Sequence, residues 1–176
     1  MESVVAAVAP FVEIVRGLDW PEIEETEPTL EGNALLKARS VMEVTGVAAV
    51  ADDTGLEVRA LDGAPGVFTA RFAGPDATYE DNVAHLLRSL DGCDERSATF
   101  RTAVALVDES GVVVTAEGRL EGVISEVRRG AGGFGYDPVF EVDGRTLAEI
   151  GDDEKNLISH RARALRALAE KIWSEG

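Results

Sequence analysis

The chain has 176 residues, 45% hydrophobic and 28% charged, which excludes a disordered chain and suits one domain, 1–176, with a sizeable core. Its 33 acidic residues against 17 Lys and Arg give a formal net charge of −16. That balance argues against non-specific nucleic-acid binding and against an anionic membrane surface, both of which need clustered cations. A single cysteine, Cys93, leaves no internal disulfide. No apolar run approaches the roughly 18 residues of a membrane span. The apolar start of the chain lacks the basic region and cleavage site of a secretory leader, so a cytoplasmic location is expected.

In chain order, residues 2–9 read as a short helix stopped by Pro10, and Phe11 to Val15 alternate like a strand. Residues 19–31 carry six acids and no base, with Pro21 and Pro28 among them, and read as a loop. Thr29 is the expected N-cap of a helix running to about Val44, ended by Gly46. Residues 47–51 form a continuous apolar run, as in a strand buried on both faces, which then meets Asp52-Asp53-Thr54-Gly55. A second short strand over 56–61 precedes a Gly/Pro-rich segment. A helix is expected over 78–90. Strands over about 98–107 and 112–120 flank a hairpin turn at 108–111. Residues 130–135 are glycine-rich and lead to a strand near 139–142. One last helix is expected from about Asp152 to Trp173. The mixture of helices with parallel-type and hairpin-type strands indicates an α/β or α+β class with a mixed sheet.

Four segments carry side chains suited to chemistry. Asp52 and Asp53 stand at the end of a buried strand, where open α/β sheets bind ligands. Strand neighbours point to opposite faces, so the two acids take different roles. A hard cation such as Mg²⁺ takes one or two carboxylates plus phosphate oxygens; the plain alternative is a polar turn. The acidic loop offers Glu24 or Glu25 as a further metal ligand, or is simply a solvated face. Gly130 to Gly135 match G-x-G-x-x-G, with Asp152-Asp153 about 20 residues on. A dinucleotide loop must open a helix, however, and the residues after Pro138 read as a strand entry. What remains is a loop whose amides could cradle an anion, with Phe134 or Tyr136 able to stack on a flat ring or to cap the core. Finally, Lys155 lies in the first turn of the expected last helix, with Ser159 four residues on and His160 and Arg161 one turn further. Cations beside a helix amino end suggest an anionic ligand. The alternative pairs Lys155 with Asp152 or Glu154 and buries His160. His85 reads as structural or exposed, and Cys93, beside Gly92, as incidental. Arg71 could reach a phosphate or form a salt bridge.

Taken together, Ala51 to Val58, Gly63 to Gly74, Gly133 to Pro138, Glu154-Lys155-Asn156 and Ser159-His160-Arg161 resemble, in order, the signature blocks of the Ham1/RdgB-type non-canonical purine NTP pyrophosphatases, the inosine triphosphatase family. The resemblance spans about Glu24 to Leu168. It implies an α/β fold with an elongated mixed central β-sheet flanked by helices, two lobes around a substrate cleft, and a homodimer. It implies Mg²⁺-dependent hydrolysis of ITP, dITP and XTP to the monophosphate and pyrophosphate. By the same resemblance Asp53 is proton acceptor and metal ligand, and Glu25 a second metal ligand. Thr54, Phe134, Gly135, Tyr136, Asp137 and Lys155 contact substrate, and His160 with Arg161 recognises the 6-keto purine. The family opens with a strand and a Ser/Thr-Gly-Asn-x-x-Lys loop that this chain begins just after. A truncated nucleotide-binding paralogue, inactive or weakly active, is therefore the alternative expectation.

Overall fold

The computed structural model describes Val5 and residues 13–174. Apart from Val5, the helix expected over 2–9 lies outside the described residues, as do Phe11 and Val12; Glu13 to Val15 are in no strand. Six strands form one sheet: β1 (Ala49–Val58), β2 (Pro65–Gly66), β3 (Ser97–Val107), β4 (Val113–Ile124), β5 (Phe140–Val142) and β6 (Arg145–Thr146). Their order is β2-β1-β3-β4-β5-β6. β1–β2, β4–β5 and β5–β6 pair antiparallel. Helices α1 (Leu30–Thr45), α2 (Tyr79–Ser89), α3 (Asp152–Ile158) and α4 (His160–Ser174) accompany them. No helix among the described residues is long and apolar enough to cross a membrane.

The chain divides into two compact units. The first comprises residues 1–54, 102–119 and 159–176. Its helix α1 forms where expected. The Thr29 hydroxyl accepts from the Gly32 amide at 3.0 Å, and Gly46 closes the helix at φ +69°. Leu30, Ala34 and Ala38 recur every four residues and are buried, so one stripe of α1 faces inward. The core of this unit holds Val104, Ala116, Ala162, Ala164, Leu165 and Leu168, half of them alanines that let backbones approach closely. Gly118 serves the same close packing of β4 against α4. A Cβ at that position would lie 2.1 Å from the His160 carbonyl oxygen and 2.3 Å from the Ala164 nitrogen.

The second unit comprises residues 55–101 and 120–158. Its larger core holds Leu56, Val58, Leu86, Leu90, Phe100, Ile124, Phe140 and Leu147, with the Phe100 and Phe140 rings 4.5 Å apart. Thr78 and Asp81 cap α2 reciprocally. Arg96 spends its guanidinium on the carbonyls of Leu90, Ile124 and Ser125, at 2.6–3.0 Å. Such a rigid fork suits three converging backbone acceptors.

Three expectations are corrected. No separate strand covers 56–61: residues 56–58 complete β1, and Arg59–Leu61 form a 3₁₀ turn. The Asp52-Asp53-Thr54-Gly55 segment is neither a strand end nor a turn, because β1 runs unbroken from Ala49 to Val58. Leu56 and Val58 are fully buried, and Leu56 and Glu57 pair with β2, so alternation and ladder both continue past the acids. There is also no single helix over 152–173. It breaks at Ser159, whose hydroxyl accepts from the Ala162 amide at 3.2 Å and whose carbonyl accepts from Arg163 at 3.0 Å. Ser159 therefore caps a new helix, and Lys155 does not share a helix with His160 and Arg161.

Gly118→Ala is expected to destabilise the fold by about 1–3 kcal/mol, because the added methyl meets backbone that cannot swing aside. Gly111→Ala, at φ +86° with open space around it, should cost only the left-handed conformation, about 1 kcal/mol. Urea midpoints of the two variants would check this ranking.

Candidate functional site

The pleat of β1 distributes its polar side chains. Asp52 accepts from Arg161 Nε at 2.9 Å, and Thr54 Oγ1 lies 2.7 Å from Thr102 Oγ1, which in turn lies 2.6 Å from His160 Nδ1. Asp52 and Thr54, two residues apart, thus both face the start of α4. Asp53 faces the other way, towards α1. Its Oδ2 accepts from Asn33 Nδ2 at 3.0 Å, and its Oδ1 accepts from the Thr54 amide at 2.9 Å. Lys37 Nζ stands 3.6 Å from Asp53 Oδ1 and 2.6 Å from Glu25 Oε1. Asn33 also receives the Glu27 amide at 2.9 Å, so one fully buried amide fixes both Asp53 and the acidic loop. Glu25 turns inward to Lys37, while Glu24 is exposed.

Burial pushes the Asp53 carboxyl above its ordinary range. The Asn33 hydrogen bond, the Lys37 charge and the Thr54 amide oppose that rise, while the nearby Glu25 charge adds to it. Two carboxylates already share one cation here, the Lys37 ammonium. That donor set fits a hard dication, which needs one or two carboxylates and takes its other oxygens from substrate or water. Among the described residues no cluster of three or more His, Cys, Asp or Glu side chains gathers that could hold a metal alone.

The remaining expected residues belong to the second unit, and Asp137 organises them. Its carboxylate accepts from the Phe134 amide at 2.7 Å and pairs with Lys155 Nζ. Lys155 also stands 4.9 Å from the centre of the Phe134 ring, a cation–π contact. The loop closes around Asp137 so tightly that a Cβ at Gly133, φ +73°, would lie 2.1 Å from its Oδ2. Phe134 is 55% exposed, with Tyr79 beside it at 6.3 Å. Gly135, at φ +61°, carries the turn between Phe134 and Tyr136. Tyr136 is buried, its hydroxyl donating to the Thr69 carbonyl at 3.0 Å, and burial pushes that hydroxyl above its ordinary range. Of the two aromatics in this loop, Phe134 is the exposed one and Tyr136 caps the core. No helix follows the glycine run; the chain enters β5, as expected.

Lys155 pairs with neither Asp152 nor Glu154; Glu154 binds Arg145 instead. Arg71 lies 5.3 Å over the Phe68 ring, and His85 meets the Phe72 ring edge-on at 4.7 Å. Sequence reasoning missed Asn33, Lys37, Thr102 and the partner of Asp52. A signal existed for the first two: Asn33 and Lys37 are polar residues on the stripe of α1 that carries Leu30, Ala34 and Ala38.

Asp53 holds its proton more tightly in the folded chain than in the unfolded one. Its contribution to stability is therefore fullest below the ordinary value of 3.8 and is lost as pH rises through the raised folded value. Asp53→Asn is accordingly expected to raise the Tm at pH 7, with the gain vanishing near pH 3. Calorimetric scans in EDTA across that range would check it; a lower Tm at pH 7 would contradict it.

The Ham1 family model matches residues 2–171. A dITP/XTP pyrophosphatase of Chlorobaculum tepidum is 50% identical over 175 residues, covering 89% of this chain and 77% of the relative. A solved HAM1 protein from Coxiella burnetii is 43% identical with a TM-score of 0.81, covering 89% of this chain and 82% of that one. The Ham1 protein of Staphylococcus aureus is 32% identical with a TM-score of 0.82, covering 98% and 86%. With the model spanning nearly the whole chain and the same fold recurring in solved members, the chain belongs to the Ham1 family.

Proposed function

We propose that this protein hydrolyses 6-oxo purine nucleoside triphosphates (ITP, dITP and XTP) to the monophosphate and pyrophosphate, and so clears them from the nucleotide pool. The observation that carries the reading is the buried Asp53 carboxylate, fixed by Asn33 and the Thr54 amide and paired with Glu25 across Lys37. It is supported by relatives named dITP/XTP pyrophosphatase at about half identity.

Asp53 accepts a proton from water as that water attacks the α-phosphorus. The bond from that phosphorus to the bridging oxygen breaks, and pyrophosphate leaves. A carboxyl pushed up by burial is a stronger base than an exposed one, which suits this task. Glu25 and Asp53 would hold Mg²⁺, which when bound offsets charge on the phosphate oxygens. Lys37 keeps the two carboxylates at one point. Lys155 offers a cation beside the exposed Phe134, an aromatic suited to a purine, while Asp137, Gly135 and Tyr136 hold that loop in shape. Thr54 contacts substrate from the α4-facing side of β1. His160 and Arg161 donate to the 6-oxo group. A 6-amino purine presents a donor there and leaves these groups unpaired, which is a strong basis for rejection.

The test is product analysis with dITP and Mg²⁺. Pyrophosphate should appear, with dITP preferred over dATP, and Asp53→Asn should lower kcat by about 100-fold or more. Release of single phosphates, or a preference for ATP, would sink the reading. A Mg²⁺-dependent melting shift with dITP and no product would instead favour a nucleotide-binding paralogue.

A further inference from the structure

Thr54, Thr102 and His160 form a chain of two short hydrogen bonds, 2.7 Å and 2.6 Å, ending on imidazole Nδ1. Thr102 is fully buried and His160 nearly so. A hydroxyl carries one proton, so Thr102 can donate to one neighbour only and must accept from the other. Two polarities are then consistent. If Nδ1–H donates to Thr102, Thr102 donates to Thr54, and a neutral imidazole has its lone pair on Nε2. If Thr54 donates to Thr102, Thr102 donates to Nδ1, and the ring proton sits on Nε2.

The two states read opposite purines. A lone pair on Nε2 matches a 6-amino group; an Nε2–H matches a 6-oxo group. We propose that Thr102 is a specificity-determining positioning residue: it donates to His160 Nδ1, holds the neutral ring in the Nε2–H tautomer and thereby sets selection of 6-oxo over 6-amino purines. This rests on the reading above that His160 addresses the base. The rank of the hydroxyls follows. Thr54 spends its proton on Thr102 and meets substrate only as an acceptor. Thr102 never touches substrate and acts through the ring. Second-partner control of a histidine tautomer is a general device; here the partner is a hydroxyl with its own donor behind it.

The first measurement is ¹⁵N NMR of the imidazole nitrogens in the wild-type protein, above the imidazole titration. The chain has only two histidines, so His85→Gln assigns the signals. A proton on Nε2 alone is expected; a proton on Nδ1, alone or with Nε2, overturns the proposal. The second is the ratio of kcat/KM for dITP over dATP. Thr102→Val keeps shape and burial but removes the hydroxyl, and should lower that ratio about tenfold or more, chiefly through the KM for dITP. Thr102→Ser should restore it, which a merely space-filling role would not require. An unchanged ratio in folded Thr102→Val overturns the inference alone. A wild type with no preference for dITP overturns the hydrolase reading, and this inference with it. If Thr102→Val fails to fold, the wild-type spectrum still decides.

Discussion

The pleat of β1 is the constraint on which the candidate site depends. Side chains alternate along a strand, so a run of Asp52, Asp53 and Thr54 must send its middle member one way and its flanking members the other. Asp52 and Thr54 meet Arg161 and the Thr102–His160 chain, while Asp53 meets Asn33 and Lys37. A slip of one residue would exchange these sets and put each acid among the wrong partners. The register is pinned by fully buried Leu56 and Val58 and by the pairing of Leu56 with Gly66 and Glu57 with Pro65. Apolar burial a few residues along the same strand thus determines which carboxylate faces α1.

Holding the Asp53 carboxylate in place has a structural cost that α1 offsets. A largely buried carboxylate resists ionisation. The helix answers with an amide at Asn33 and an ammonium at Lys37, one turn apart on one face. Asn33 does more than satisfy Asp53: its carbonyl takes the Glu27 amide, tying a loop without regular structure to the helix. Glu25 reaches Lys37 because that loop is anchored two residues later. The acid, its cation and the second acid are therefore assembled from one loop, one helix and one strand, each fixed by hydrogen bonds rather than by apolar packing of the loop itself.

Local chemistry explains what was legible in the sequence. Thr29 and Gly46 bound α1 as written, the Asp108–Gly111 turn joins β3 and β4, and the family blocks lie in order along the chain. The continuity of β1 was hidden because Asp, Thr and Gly are turn residues by local preference, and tertiary satisfaction of each side chain overrode that preference. The break at Ser159 was hidden for the opposite reason. Apolar residues occur on both sides of it, Leu157 and Ile158 before and Leu165 and Leu168 after, and the Ser159 side-chain cap marks where one helix gives way to the next. Thr102 carries no sequence signal at all. A threonine in a strand is ordinary, and its role comes from two partners 48 and 58 residues away.

A net charge of −16 first looks hostile to a polyphosphate. Counted locally it is close to balanced. In the first unit Glu25, Asp52 and Asp53 face Lys37 and Arg161, three negatives against two positives, a local charge of −1. In the second unit Asp137 and Lys155 cancel. Each cation is already matched to an acid, so none acts as an open anion trap, and a free polyphosphate gains little on approach. One dication held by Glu25 and Asp53 would turn −1 into +1 and loosen the claim of both acids on Lys37. Under the proposed function, the acidity therefore acts as a condition on substrate entry: the polyphosphate becomes welcome where its counter-cation can be shared with the protein.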